Sequence, residues 1–203
     1  MWKIVIAAVL AVVLVVVVAV MLIMRGLDLS QYEHLKEPKI STKPDQKVIV
    51  VEAKGEPNAV AGKAFKLLFN TYFRLKGLPK GRPPAPRARW LELLDKPKTE
   101  WVGLYAMPVP DTIESLPEQK ATEAGLSVKL ATWEYGEVAE ILHVGRYDRE
   151  EPTIEKLKKF IADSGYEIAG AHEEEYIKGP GMFFAGNPEK YYTIIRYRVK
   201  KAQ

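Results

Sequence analysis

The chain has 203 residues, a formal net charge of +4 and no cysteine. The lack of cysteine excludes disulfides, thiolate metal sites and a cysteine nucleophile. With Lys3 and Arg25 set aside, 28 basic residues face 26 acidic ones with the signs interspersed, so no nucleic-acid partner is expected.

Ile4 to Met24 runs for 21 residues without a charge, proline, glycine or side-chain amide. At about 1.5 Å per residue a helix of that length covers roughly 30 Å, the hydrocarbon thickness of a bilayer. A cleaved signal peptide has a shorter apolar stretch and a small-residue exit, whereas this run leaves through Met24, Arg25 and Gly26. Residues 1–25 are therefore predicted to be a transmembrane anchor, which makes the lipid bilayer a partner and the chain a single-pass membrane protein (of the cell membrane, if prokaryotic). The Lys and Arg flanking the span lean only weakly to one side, and the side of the soluble part is left open. Residues 26–46 carry charge, two prolines and no sustained periodicity; they read as a tether.

Residues 47–203 suit one domain, and they repeat. Lys47 to Asn58 resembles Glu137 to Asp148: an apolar strand, then Gly55 or Gly145 opening a turn. A helical pattern follows each, over about Ala59 to Leu75 and Thr153 to Ala162, with Gly77 and Gly165 placed where helices stop. Two strand-like segments complete each half: Arg87 to Leu94 and Glu100 to Val109, then Tyr166 to Ile177 and Lys190 to Lys200. Asp111 to Gly125 links the halves, and Leu126 to Trp133 adds a strand to the second. The repeats cover about 47–110 and 126–201. The predicted fold is α+β: duplicated β-α-β-β units forming an antiparallel or mixed sheet with both helices on one face. The other face is then free to curve into a central cleft. Arg196, Arg198, Lys200 and Lys201 alternate near the end, as on the wet face of a strand.

No phosphate-cradling glycine loop, paired-histidine helix or nucleophile elbow is present. His34, His143 and His172 are scattered, so neither a metal nor another cofactor is expected. The informative segment is Gly170 to Pro180. Strand alternation puts Glu174 and Tyr176 on one side and Glu173 and Glu175 on the other. If Glu173 and Glu175 face water, Glu174 lies on the less exposed side beside Tyr176; the plainer alternative is a solvated acidic edge. Aromatic residues are plentiful, among them Trp90, Trp101, Tyr105, Trp133, Tyr135, Tyr147, Phe183 and Phe184. A carboxylate at the base of an aromatic cleft pairs with a cation while ring faces hold its apolar body. Burial raises a carboxyl pKa, so the same residue type also serves as a general acid.

The duplicated plan, the turns Lys54-Gly55-Glu56-Pro57 and Val144-Gly145-Arg146-Tyr147, the hairpin Glu174 to Pro180 and the closing strands Trp101 to Val109 and Tyr191 to Val199 together resemble the GyrI-like small-molecule-binding superfamily. That superfamily has a SOUL-related fold and includes the effector-binding domains of multidrug-sensing regulators. The resemblance covers about residues 47 to 200. It implies that the hairpin carboxylate, Glu174, meets a hydrophobic or cationic small molecule in the cleft, with Tyr176, Trp90, Tyr105 and Tyr147 around it. No DNA-binding segment is seen before the domain, so the chain does not read as a transcription regulator. Arg196-Tyr197-Arg198 also departs from the more apolar closing strand of that family. The leading expectation is a membrane-tethered binding module. The alternatives are a scaffold with a vestigial cleft and a protein partner, or a hydrolase of strained cyclopropane rings with Glu92 as a second carboxylate. A haem-binding role is weaker still.

Overall fold

A computed structural model describes residues 28–91, 97–119, 125–180 and 186–203. The apolar span over Ile4 to Met24 lies outside them, and among the described residues no helix is long and apolar enough to cross a membrane. The chain divides into two compact units, Met1–Glu33 and His34–Gln203, and the sheet belongs to the second. Its elements are β1 (Lys39–Lys43), β2 (Gln46–Lys54), α1 (Pro57–Tyr72), β3 (Arg87–Trp90), β4 (Val102–Pro108), β5 (Val128–Trp133), β6 (Gly136–Val144), α2 (Glu151–Asp163), β7 (Tyr166–Ile168), β8 (His172–Lys178) and β9 (Tyr192–Lys201).

The β-α-β-β plan appears twice, as β2-α1-β3-β4 and β6-α2-β7/β8-β9. β7 and β8 take the place of one strand. Both pair with β9, through Ile168↔Val199 and Glu173↔Arg196, and the Ala169 N–H donates to Arg198 O at 2.8 Å between them. The turn glycines are equivalent in detail. Gly55 (φ 137°) donates to Trp101 O at 2.9 Å, and Gly145 (φ 142°) donates to Tyr191 O at 3.0 Å. Both sit in the left-handed region that side chains avoid. In each half the turn thus ties the first strand to the residue that precedes the last one.

Every pairing is antiparallel, in the order β1-β6-β9-β8-β3-β4-β2-β5. The halves meet through β3 and β8. The outer strands close the sheet on itself. β1 pairs with β6 as far as Lys43↔Gly136, and β2 takes up β5 from Gln46↔Trp133, both strands having advanced three residues. The register therefore runs unbroken through the bend, and β1-β2 and β5-β6 act as two long strands completing a ring. β1 falls in the stretch read as a tether. Its partly exposed side chains leave no apolar alternation in the sequence, and its place is set by pairing with β6.

Both helices pack on the outer face, as expected. Ala64 and Leu68 of α1 lie among Ile49, Val51, Tyr105 and Met107; Leu157 and Ile161 of α2 lie against Ala139, Ile141, Ile195 and Val199. Fully burying each of these leucines contributes about 1.5–3 kcal/mol. The inner face corrects three expectations. It is no open cleft, because ring closure fills it with Val48, Ala106, Trp133, Tyr135 and Val138. β8 is an internal strand between β3 and β9 rather than an acidic edge, so Glu173 and Glu175 point inward and not to water. Arg196, read as wet, is 1% exposed. It meets Glu173, Glu175 (2.8 Å) and Glu140 (2.6 Å), and that pairing is what allows the charges to be buried.

Candidate functional site

Alternation along β8 puts His172, Glu174 and Tyr176 on the helix face, and cross-strand pairing adds Trp90 (opposite His172), Ala88 (opposite Glu174) and Thr193 (opposite Tyr176). The Glu174 carboxylate is held at both oxygens. Oε1 accepts from Trp90 Nε1 at 3.0 Å and lies 3.0 Å from His172 Nε2, while Oε2 accepts from Tyr176 Oη at 2.6 Å. His172 Nδ1 lies 2.9 Å from Tyr197 Oη. With the imidazole proton on Nε2, His172 donates to Glu174 and accepts from Tyr197.

Aromatic rings enclose the carboxylate. Tyr105 meets Trp90 edge-on at 5.7 Å, Tyr147 meets Tyr176 at 5.5 Å, and Phe65 of α1 meets Tyr105 and Tyr176 at 5.2 and 5.7 Å. Gly103 permits this crowding: a Cβ there would sit 2.9 Å from the Tyr105 ring and 3.0 Å from that of Trp90. The structure therefore brings together all five residues predicted from sequence, Glu174, Tyr176, Trp90, Tyr105 and Tyr147. It places them on the helix-bearing face and not on the opposite one. Trp133 and Tyr135 belong to the inner core, and Glu92, Phe183 and Phe184 lie outside the described residues. By register the counterpart of Tyr176 in the first half is Trp90, since each stands two residues beyond the Ala88↔Glu174 pair.

Glu150, Thr193 and His172 join the site without any mark in the sequence. Glu150 sits in a charged run before α2 and looks like an ordinary helix-start carboxylate, yet it is 5% exposed. Glu150 Oε1, Tyr105 Oη and Thr193 Oγ1 are all buried; the Thr193 hydroxyl acts on the Glu150 carboxyl, and among the described residues Tyr105 Oη has no hydrogen-bond partner. Such a group is rare in folded proteins and calls for an explanation.

The two carboxyls differ in charge. Burial, then the nearby negative charge of Glu174, pushes Glu150 up to about 9, so it stays protonated at neutral pH. Burial works against the charged form of Glu174 too. The hydrogen bonds from His172, Tyr176 and Trp90 outweigh it and hold that carboxyl below its usual range. Burial and the charge of Glu174 raise the phenols of Tyr176 and Tyr105, and burial, then Tyr191 and both carboxyls, raises that of Tyr147, so all three remain neutral donors. The rings close over the carboxylate, leaving 13% of the Glu174 side chain exposed. Tyr147, 38% exposed, is the outermost of them.

No family model matches the chain, and no curated protein matches it. Solved structures do. An uncharacterized conserved protein from Listeria innocua has 21% identity and a TM-score of 0.67, covering 85% of this chain and 97% of that one. A hydrolase from Listeria innocua has 21% identity and a TM-score of 0.63, covering 81% and 92%. The EcmrR C-terminal domain has 15% identity and a TM-score of 0.58, covering 82% and 98%. These likenesses are of fold alone.

Proposed function

We propose that the domain binds a hydrophobic or cationic small molecule between its two repeats, and that residues 4–24 hold it at a bilayer. One observation carries the reading: a buried Tyr105 hydroxyl with no partner among the described residues, and a buried Glu150 beside Thr193, accompany an ionised Glu174 inside an aromatic nest. A ligand with an apolar body and one positive or hydrogen-bonding group satisfies what the protein leaves unpaired. The carboxylate supplies the charge, and each ring face adds about 0.5 to 2 kcal/mol toward a cation. Outward movement of Tyr147, the most exposed ring, gives the ligand its path. A bilayer concentrates amphiphiles, so a tethered domain meets them at the surface.

The test is titration with a lipophilic dye cation, read by quenching of intrinsic tryptophan fluorescence. Glu174→Gln should weaken binding about tenfold, the scale of one charge-assisted contact. Equal affinity in both proteins removes Glu174 from the site; no binding by either leaves the scaffold reading. Carbonate extraction of membranes tests the tether, which fails if the chain is released into the soluble fraction.

The neutral Glu150 near an ionised Glu174 favours a second reading, a hydrolase of strained rings. Glu150 donates its proton to a ring carbon as the carbon–carbon bond breaks. Water attacks the cation that forms, and Glu174 accepts the water's proton. Turnover of a cyclopropane-bearing compound, lost in both Glu150→Gln and Glu174→Gln, would separate catalysis from binding.

A further inference from the structure

A second polar centre lies on the inner face, at the break between β7 and β8. There a cavity of about 60 Å³ is lined by Arg89, Tyr135, Gly170, Glu173, Arg196 and Arg198, among others. Its one carboxylate is already engaged: Glu173 accepts from Arg89 Nε at 2.7 Å, from Tyr135 Oη at 2.8 Å and from Arg196. Arg87 and Arg196 are matched in turn by Glu140 and Glu175. Among the described residues three arginines and Lys43 thus face three carboxylates, and Arg198 is a further cation beyond them. Its Nε donates to Tyr135 O at 3.1 Å, but the carboxylate paired with its terminal nitrogens is the exposed Glu134 at 4.0 Å, beyond hydrogen-bond reach.

From this surplus we infer that the cavity is a binding site for a small oxyanion, gripped by Arg198 and Arg89 from strands β9 and β3. Planar guanidinium forks match the paired oxygens of such an anion. Arg89 is pre-positioned, with its guanidinium 4.1 Å from the Trp133 ring centre and 4.9 Å from that of Tyr135. Gly170 fits the same role. A Cβ there would sit 2.9 Å from Arg198 Cβ, so only glycine lets the Arg198 stem lie against the break. The site is independent of Glu174, which projects from the opposite face of β8.

Inorganic phosphate is the probe, added at constant ionic strength against chloride. Phosphate should shift the amide NMR signals of Gly170 and Ala171 saturably and quench Trp133. Arg198→Gln, at a side chain 40% exposed and so tolerated by the fold, should weaken phosphate about tenfold, the loss of one charge-assisted contact. Gly170→Ala should weaken it as well, while Glu174→Gln should leave it unchanged. A response that chloride reproduces, or equal phosphate affinity in wild type and Arg198→Gln, would overturn the proposal.

Discussion

Ala88 and Glu174 are partners across β3 and β8, and they are also each other's counterpart in the two repeats. Ala88 pairs with Tyr105 as Glu174 pairs with Ile195. The site carboxylate therefore sits at the seam between the halves, opposite the smallest side chain in the row. Two residues further on, Trp90 and Tyr176 occupy equivalent places, and both donate to Glu174. Duplication has supplied a symmetric pair of donors, while substitution at one position has made a single acceptor.

Enlarging the seam residue should close the site. Ala88 is fully buried, so Ala88→Leu is expected to cost about 1–3 kcal/mol through overpacking. Urea denaturation measures that cost. In the folded variant the dye cation should no longer bind. Unchanged dye affinity would show that the ligand lies elsewhere.

Trp90→Phe keeps a ring and removes the Nε1–H that holds Glu174 Oε1. Since that hydrogen bond favours the charged form, the Glu174 pKa should rise toward the ordinary carboxylate range. Carboxyl-carbon NMR across a pH series reads it directly, and stability should fall by roughly 1–2 kcal/mol. A pKa that stays put would mean that His172 and Tyr176 suffice.

Glu150 makes its own pH signature. Its folded pKa, about 9, lies above the unfolded value, so the native state keeps a proton that the unfolded chain has lost. Stability from this group is complete below the unfolded carboxyl pKa. It drains as pH rises from there toward about 9. Glu150→Gln should remove that slope and gain roughly 2 kcal/mol at pH 7. Urea midpoints from pH 5 to 9 check both, and parallel curves for variant and wild type would contradict the assignment.

The inner network should fail in the opposite direction. Burial opposes ionisation of Glu140 and Glu175, but Arg196, with Lys43 at one and Arg87 at the other, overcomes it and lowers both pKa values. Their contribution is present above the unfolded carboxyl pKa and is lost as pH falls through the lower folded values. Arg196→Met leaves three buried carboxylates with one cationic partner each, Arg89, Arg87 and Lys43, and should cost about 3 kcal/mol at neutral pH. Arg196→Lys keeps a charge without the fork, so its acid-unfolding midpoint should move upward. A neutral effect of Arg196→Met would show that the carboxylates simply take up protons.

Local pattern alone determined the repeat, the helices and the pairing of Glu174 with Tyr176 on one strand face, because period-two and period-3.6 spacing and turn glycines act over a few residues. The aromatic residues around the site were legible as types, and the family resemblance ranked them. What lay beyond reach depended on partners far along the chain. Whether Glu173 and Arg196 face water or each other is decided by ring closure, and closure rests on β1 reaching β6 across 99 residues, as in Ser41 to Glu140. Glu150 looks identical to any helix-start glutamate until the fold removes its water. Burial is a property of the assembled sheet, and a charge reveals its role only once its surroundings are in place.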